Sequence, residues 1–141
     1  MALKKTQLLP ITTVVGVQTV GIYTAGLTAT SVGVGTTSYV KSIIMHNAGA
    51  AANHAGVGTA RVGIYLYPNT GVTDRVSGVG NSSYRIAQID LAPNETSFFE
   101  SNYPIVLAPF NAIAVDVIAA DNGAGVGTAV NFVINGDTET P

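Results

Sequence analysis

The stretch Ala60-Arg61-Val62-Gly63-Ile64-Tyr65-Leu66-Tyr67 alternates so regularly that it sets the reading of the whole chain. Ala60, Val62, Ile64 and Leu66 face one way, and Arg61, Gly63, Tyr65 and Tyr67 face the other. That is the period of two that an extended strand imposes. Outward from it, Tyr39–Asn47 alternates with apolar residues on both faces, which predicts a strand covered on both sides. Ile113, Val115 and Val117, and then Val130, Phe132 and Ile134, mark two half-buried strands rich in β-branched residues. Weaker strand signals lie at Thr19–Ala25, Leu27–Val32, Tyr84–Leu91, Thr96–Glu100 and Ile105–Leu107. A short helix competes with the strand over 81–92, where Gly and Pro are missing until Pro93.

Turn signals separate these runs at Pro68-Asn69-Thr70-Gly71, Ala92-Pro93-Asn94-Glu95 and Asn135-Gly136-Asp137. Many short strands punctuated in this way predict an all-β fold. We expect a single-domain, two-sheet β-sandwich of Greek-key or jelly-roll type. The domain spans residues 18–141, and residues 1–17 form an extended N-terminal arm or a first strand. Lys4-Lys5 followed by Leu8 to Val17 faintly imitates a secretion signal, but Pro10, Thr12, Thr13 and Gly16 interrupt its apolar part.

The composition narrows the function classes. The chain has 141 residues, of which 47% are hydrophobic and only 10% charged, with a net charge of −2. Disorder goes with the opposite balance, and an electrostatic nucleic-acid binder needs a basic surface. No apolar run reaches the roughly 18 residues of a membrane span. Cysteine is absent, so there is neither a disulfide scaffold nor a thiolate metal site. Because globular domains carry about 25% charged residues, the deficit suggests a surface covered by partners.

A search for chemistry ends without a catalytic, cofactor-binding or metal-binding set. Ala55-Gly56-Val57-Gly58-Thr59-Ala60 recurs at Ala124-Gly125-Val126-Gly127-Thr128-Ala129, but neither copy completes a phosphate-binding fingerprint. We read them as apolar loops leading into strands. His46 and His54 are too few for zinc. Asp90 and Glu100 would have to face one cleft to act as a glycosidase pair, and each is equally natural as a solvated strand end. Tyr65 and Tyr67 share a strand face and form a candidate exposed aromatic pair, suited to an interface or a sugar platform.

Several blocks carry a likeness. These are Tyr39-Val40-Lys41-Ser42-Ile43-Ile44-Met45-His46-Asn47, Val62-Gly63-Ile64-Tyr65-Leu66-Tyr67-Pro68, Tyr84–Thr96 and Tyr103-Pro104-Ile105-Val106-Leu107. Over roughly residues 36–136 the chain resembles small capsid decoration or cement proteins of tailed bacteriophages. The resemblance implies a non-enzymatic virion structural protein on the outer capsid surface. Its expected partners are the major capsid protein and copies of itself, with a homotrimer ahead of a homodimer on symmetry grounds. It implies no cofactor, nucleic acid or membrane. Candidate contact residues are Leu8, Leu9 and Ile11 of the arm, Val57 and Val126 of the Gly-Val-Gly loops, and Tyr65 and Tyr67. The alternative is a phage tail or fibre module, or another small β-sandwich, that recognises a host-surface glycan.

Overall fold

The computed structural model describes residues 2–15, 19–26, 36–50, 58–67, 77–78, 84–119 and 128–140. They form nine strands: β1 (Ala2–Val15), β2 (Thr19–Thr24), β3 (Thr37–Ala50), β4 (Ala60–Tyr67), β5 (Ser77–Gly78), β6 (Arg85–Leu91), β7 (Thr96–Leu107), β8 (Ala112–Ala119) and β9 (Thr128–Thr140). One antiparallel sheet has the order β1-β9-β3-β7 and the other β5-β2-β8-β4-β6. The expected two-sheet β-sandwich is therefore the fold of this chain. Its pairs are nested: β1 with β9, β2 with β8, β3 with β7, and β4 with β6. A long hairpin rolled until β3 meets β9 and β4 meets β8 has this topology, which is that of a jelly roll.

The inner faces of the two sheets make the core. Val62 and Ile64 of β4 and Ile113, Val115 and Val117 of β8 are buried on one sheet, and Phe132 and Ile134 of β9 with Ile43 and Met45 of β3 on the other. Two polar bridges tie the sheets together along β3. Near its start, Ser38 Oγ and Tyr23 Oη share a 2.7 Å hydrogen bond across the sandwich. Near its end, the buried Asn47 donates from Nδ2 to the carbonyls of Gly58 and Leu91, each at 3.0 Å. Asn47 Oδ1 also accepts from Gly49 N–H at 2.9 Å. Leaving either carbonyl without a donor would cost about 1–3 kcal/mol.

The 92–95 turn behaves as its residues predict. Asn94 adopts φ 63°, a left-handed conformation that Asn tolerates, and Glu95 N–H donates to Ala92 O at 3.0 Å. The region 85–91 is strand and not helix, and the two weaker segments 96–100 and 105–107 are one strand, β7. Leu27–Val32 and the 68–71 turn lie outside the described residues.

Residues 2–15 lie as an edge strand, β1, hydrogen-bonded along β9 from Ala2 opposite Thr140 to Val15 opposite Ala129. Deleting it would strip the edge from a sheet and uncover Val130, Phe132 and their neighbours. Two expectations need correction. Asn135-Gly136-Asp137 is not a turn but the middle of β9. Nor is β3 covered on both faces. Its core positions are Val40 before Lys41 and Ile43 and Met45 after it, because the register shifts between Val40 and Ser42. One extra residue reverses which parity points inward.

That irregularity belongs to a line of them. The β1 register shifts between Gln7 and Leu9, opposite Asn135 and Ile134. On the far side, Val40 pairs with Ile105 and Ser42 with Glu100, so residues 101–104 of β7 are left over at the same level. Gly136 sits where the bulges meet. A Cβ there would collide with the carbonyl oxygen of Tyr39 and lie 3.0 Å from Leu8 Cδ1. Backbone blocks the space, so no side-chain rotation relieves it. A Gly136→Ala variant is expected to lose about 3 kcal/mol or more of unfolding free energy in a denaturant titration. A loss below about 1 kcal/mol would show that the bulges accommodate a methyl group.

Candidate functional site

Two surfaces stand out, one on the outer face of the four-stranded sheet and one where β4 and β7, of different sheets, come together. On the outer face of the four-stranded sheet, Val133 pairs with Ile44 and Ile44 with Phe98. Ile11 extends this row, because it lies in the irregular stretch of β1 opposite Val133. The result is an apolar stripe across all four strands. Its ends are the most open, with Ile11 70% and Phe98 58% exposed, while Val133 and Ile44 are half-buried. Polar rows flank it: Gln7, Asn135, Ser42 and Glu100 on one side, and Thr13, Asn131, His46 and Thr96 on the other. The second row is internally satisfied. Thr13 Oγ1 donates to Asn131 Oδ1 at 2.6 Å, and His46 Nδ1 shares a 2.7 Å hydrogen bond with Thr96 Oγ1. Further along the same face, Lys41 Nζ lies 2.9 Å from the nearly buried Asp137 carboxylate. Tyr39 Oη there donates to Glu139 at 3.1 Å, and that bond raises the phenol's pKa.

The second surface is a shallow pocket of about 330 Å³ lined by Leu66, Tyr67, Tyr84, Val106, Leu107 and Asn111. The rings of Tyr67 and Tyr84 meet at 4.8 Å, tilted by 50°. The 108–111 turn beside them is tied to the start of the fold, because Ala25 N–H donates to Asn111 O at 3.0 Å and Phe110 N–H to Ala25 O at 2.8 Å.

The candidate contact residues divide accordingly. Ile11 is exposed on the stripe. Leu8 and Leu9 pack half-buried against the core, since the bulge turns both inward. Val57 and Val126 lie outside the described residues. Tyr67 lines the pocket, but Tyr65 does not join it as an exposed pair, because it is only 3% exposed. Its hydroxyl donates to Asp116 Oδ2 at 2.7 Å, and Gly63 N–H donates to Asp116 Oδ1 at 2.8 Å. The ring and the carboxylate fill the space a Gly63 side chain would need. Burial, then the Asp116 bond, pushes the Tyr65 phenol's pKa up, against an opposing hydrogen bond with Arg85. Tyr65 is thus an anchor of its own sheet. Tyr84 and Phe98 belong to these surfaces yet stood out by no motif; Phe98 emerges only once the register places it beside Ile44.

Asp90 and Glu100 are not brought together. Asp90 lies on β6, bound by Arg61 through two hydrogen bonds of 2.9 and 3.2 Å, and Glu100 lies on β7 in the other sheet. Among the described residues no three His, Cys, Asp or Glu side chains gather as a metal site. His54 is outside them.

No family model and no curated protein matches this chain. A structure of infectious bursal disease virus Gx strain aligns with 99% of it and with 42% of that chain, at 12% identity. The TM-score of 0.23 is too low to carry fold or function across.

The Arg61 bond holds the Asp90 carboxyl below its ordinary pKa of 3.8. A depressed folded-state pKa means that this pair favours the folded chain above the unfolded carboxyl's pKa, and that the contribution disappears as pH falls through the folded value. Because both groups are exposed, the effect on stability is small. In an Arg61→Ala variant the Asp90 carboxyl, followed by NMR titration, is expected to rise back toward 3.8. An unchanged midpoint would show that another group holds it down.

Proposed function

We propose that this chain is a non-enzymatic virion structural protein that decorates or cements a bacteriophage capsid by binding across shell subunits. The observation that carries this reading is the apolar stripe through Ile44 and Phe98, set on a rigid sheet face between largely uncharged rows. Contiguous exposed apolar surface with a polar rim is what a protein contact requires. The polar side chains best placed for chemistry, Asn47, Asp116 and Tyr65, are instead engaged in holding strands together. The block-wise resemblance to phage decoration proteins and the low charge support the same assignment, with the major capsid protein as partner and the capsid exterior as location. Jelly rolls recur in capsid proteins, and also in lectin domains.

Purified particles are expected to contain this chain in fixed ratio to the shell protein, at hundreds of copies. A few copies per particle would place it in a tail or neck and overturn the decoration role. Ile11→Lys and Phe98→Lys change exposed side chains and should leave the melting temperature within a few degrees while lowering occupancy on particles about tenfold or more. Normal occupancy would remove the stripe from the contact.

A second reading, a module that binds a host-surface glycan, is favoured by the Tyr67–Tyr84 pocket, which Asn111 also lines. It predicts glycan-array binding that is lost in a Tyr67→Ala, Tyr84→Ala variant. An array that stays silent with the wild-type chain would count against it.

A further inference from the structure

Asparagine followed by glycine is prone to lose its side-chain amide, and this chain has two such pairs, Asn122-Gly123 and Asn135-Gly136. The first lies outside the described residues. The second lies within β9, an interior strand of the four-stranded sheet.

The reaction is intramolecular. The backbone nitrogen of Gly136 attacks Cγ of Asn135, a C–N bond forms, the Cγ–Nδ2 bond breaks and ammonia leaves. Water then opens the resulting succinimide at either carbonyl. One product is aspartate. The other is isoaspartate, in which the main chain runs through the side-chain carbon and is one methylene longer. Glycine favours the attack because it has no Cβ to obstruct it and lets its peptide unit turn freely. Ring closure also requires the peptide unit after Asn135 to rotate far from the extended conformation.

That rotation is what β9 denies. Asn135 is paired with Gln7 on β1 and with Ser42 on β3, and Gly136 with Thr6 and Val40. The peptide between them is held from both sides, and turning it would break the ladders. Asn135 itself is only half-buried, so the restraint is one of conformation and not of burial. The same place cannot take the longer product. A Cβ at Gly136 would already collide with the Tyr39 carbonyl oxygen and meet Leu8 Cδ1 at 3.0 Å. An added main-chain methylene at position 135 has to fit among those contacts, and it shifts the residues after it against β1 and β3. Asp137, whose carboxylate lies 2.9 Å from Lys41 Nζ, is among the first to be displaced.

We propose that Asn135-Gly136 is a latent deamidation site that the pairing of β9 with β1 and β3 keeps silent, and that isoaspartate formed there in the opened chain bars its return to this fold. Unfolding is then reversible only for a limited time, after which the loss is chemical.

The test follows Asn135 by mass-spectrometric peptide mapping of the full chain, kept folded in buffer or unfolded in guanidinium chloride at the same pH and temperature. Deamidation of Asn135 in the folded chain should be slower by about tenfold or more, because it waits for the strand to open. A smaller ratio would overturn the protection. The unfolded chain is then diluted out of denaturant after increasing times, and circular dichroism with gel filtration gives the folded fraction. That fraction should fall as isoaspartate accumulates at position 135, and the refolded protein should be depleted of it about tenfold or more. An Asn122→Gln variant should lose refolding on the same schedule, whereas an Asn135→Gln variant aged in the same way should keep the yield of its own unaged sample. Should Asn135→Gln fail to fold, the depletion of isoaspartate from the refolded wild type reads the same point. Equal isoaspartate in the refolded and unfolded fractions, or an aged Asn135→Gln chain that loses refolding as the wild type does, would overturn the proposal.

Discussion

The carbonyl oxygen of Tyr39 lies against the α-carbon of Gly136, and the four-stranded sheet is organised around that contact. With no side chain at Gly136, the extra residue at Lys41 can bulge toward β9, and β1 and β7 make their own irregularities at the same level. The consequence reaches far beyond the spot. Because the bulge reverses the parity of β3, Ile43 and Met45 enter the core, and Ser42, Ile44 and His46 reach the outer face. Core and stripe are thus two outcomes of one backbone insertion. Without it, Ile44 would compete for the interior and Ile43 would be left outside.

Most polar chemistry in this molecule is spent inward. Asn47 joins three segments from both sheets, Tyr23 and Ser38 bridge the other end of β3, and Asp116 joins β4 to β8 through Gly63 and Tyr65. Burial raises the Tyr23 phenol's pKa, as expected for a hydroxyl that serves as a neutral structural donor or acceptor. A chain with 10% charged residues gains sheet-to-sheet specificity from a few hydrogen bonds in this way. Among the described residues Lys4, Lys5, Glu95 and Glu100 make no ion pair, and all four lie on or beside the two edge strands of one sheet. The scarcity of charge is therefore less informative than its distribution.

How much of this was legible in the sequence depends on where regular alternation holds. In β4 it holds throughout: Ala60, Val62 and Ile64 are in the core as their spacing requires, and the strand has the bounds 60–67. The layer architecture follows from several such segments. In β3 the mixture of apolar residues on both apparent faces was itself the trace of the bulge, but a single inserted residue has no signature of its own. Asn135-Gly136 reads locally as a turn, because Asn and Gly favour one, and only the approach of Tyr39 from a strand 97 positions earlier reveals why a glycine is needed. Tyr65 was misplaced for a related reason. Its face was read correctly as the outer one, but the neighbours that cover it, Asp116 above all, come from a strand distant in sequence. The stripe is likewise assembled from four separate strands, and none of the four carries it alone.

The nesting of the strands also governs how this chain comes to be folded and how it comes apart. Ala2 faces Thr140, so the outermost pair joins the two ends of the described chain and closes the longest loop, at the largest cost in chain entropy. Contacts so distant in sequence make folding slow for a chain of this size. By the same token, interactions formed after the transition state contribute mainly to slowing unfolding. If β1 zips onto β9 after the transition state, that pairing slows unfolding and gives the molecule persistence in time, a form of durability distinct from a large equilibrium free energy.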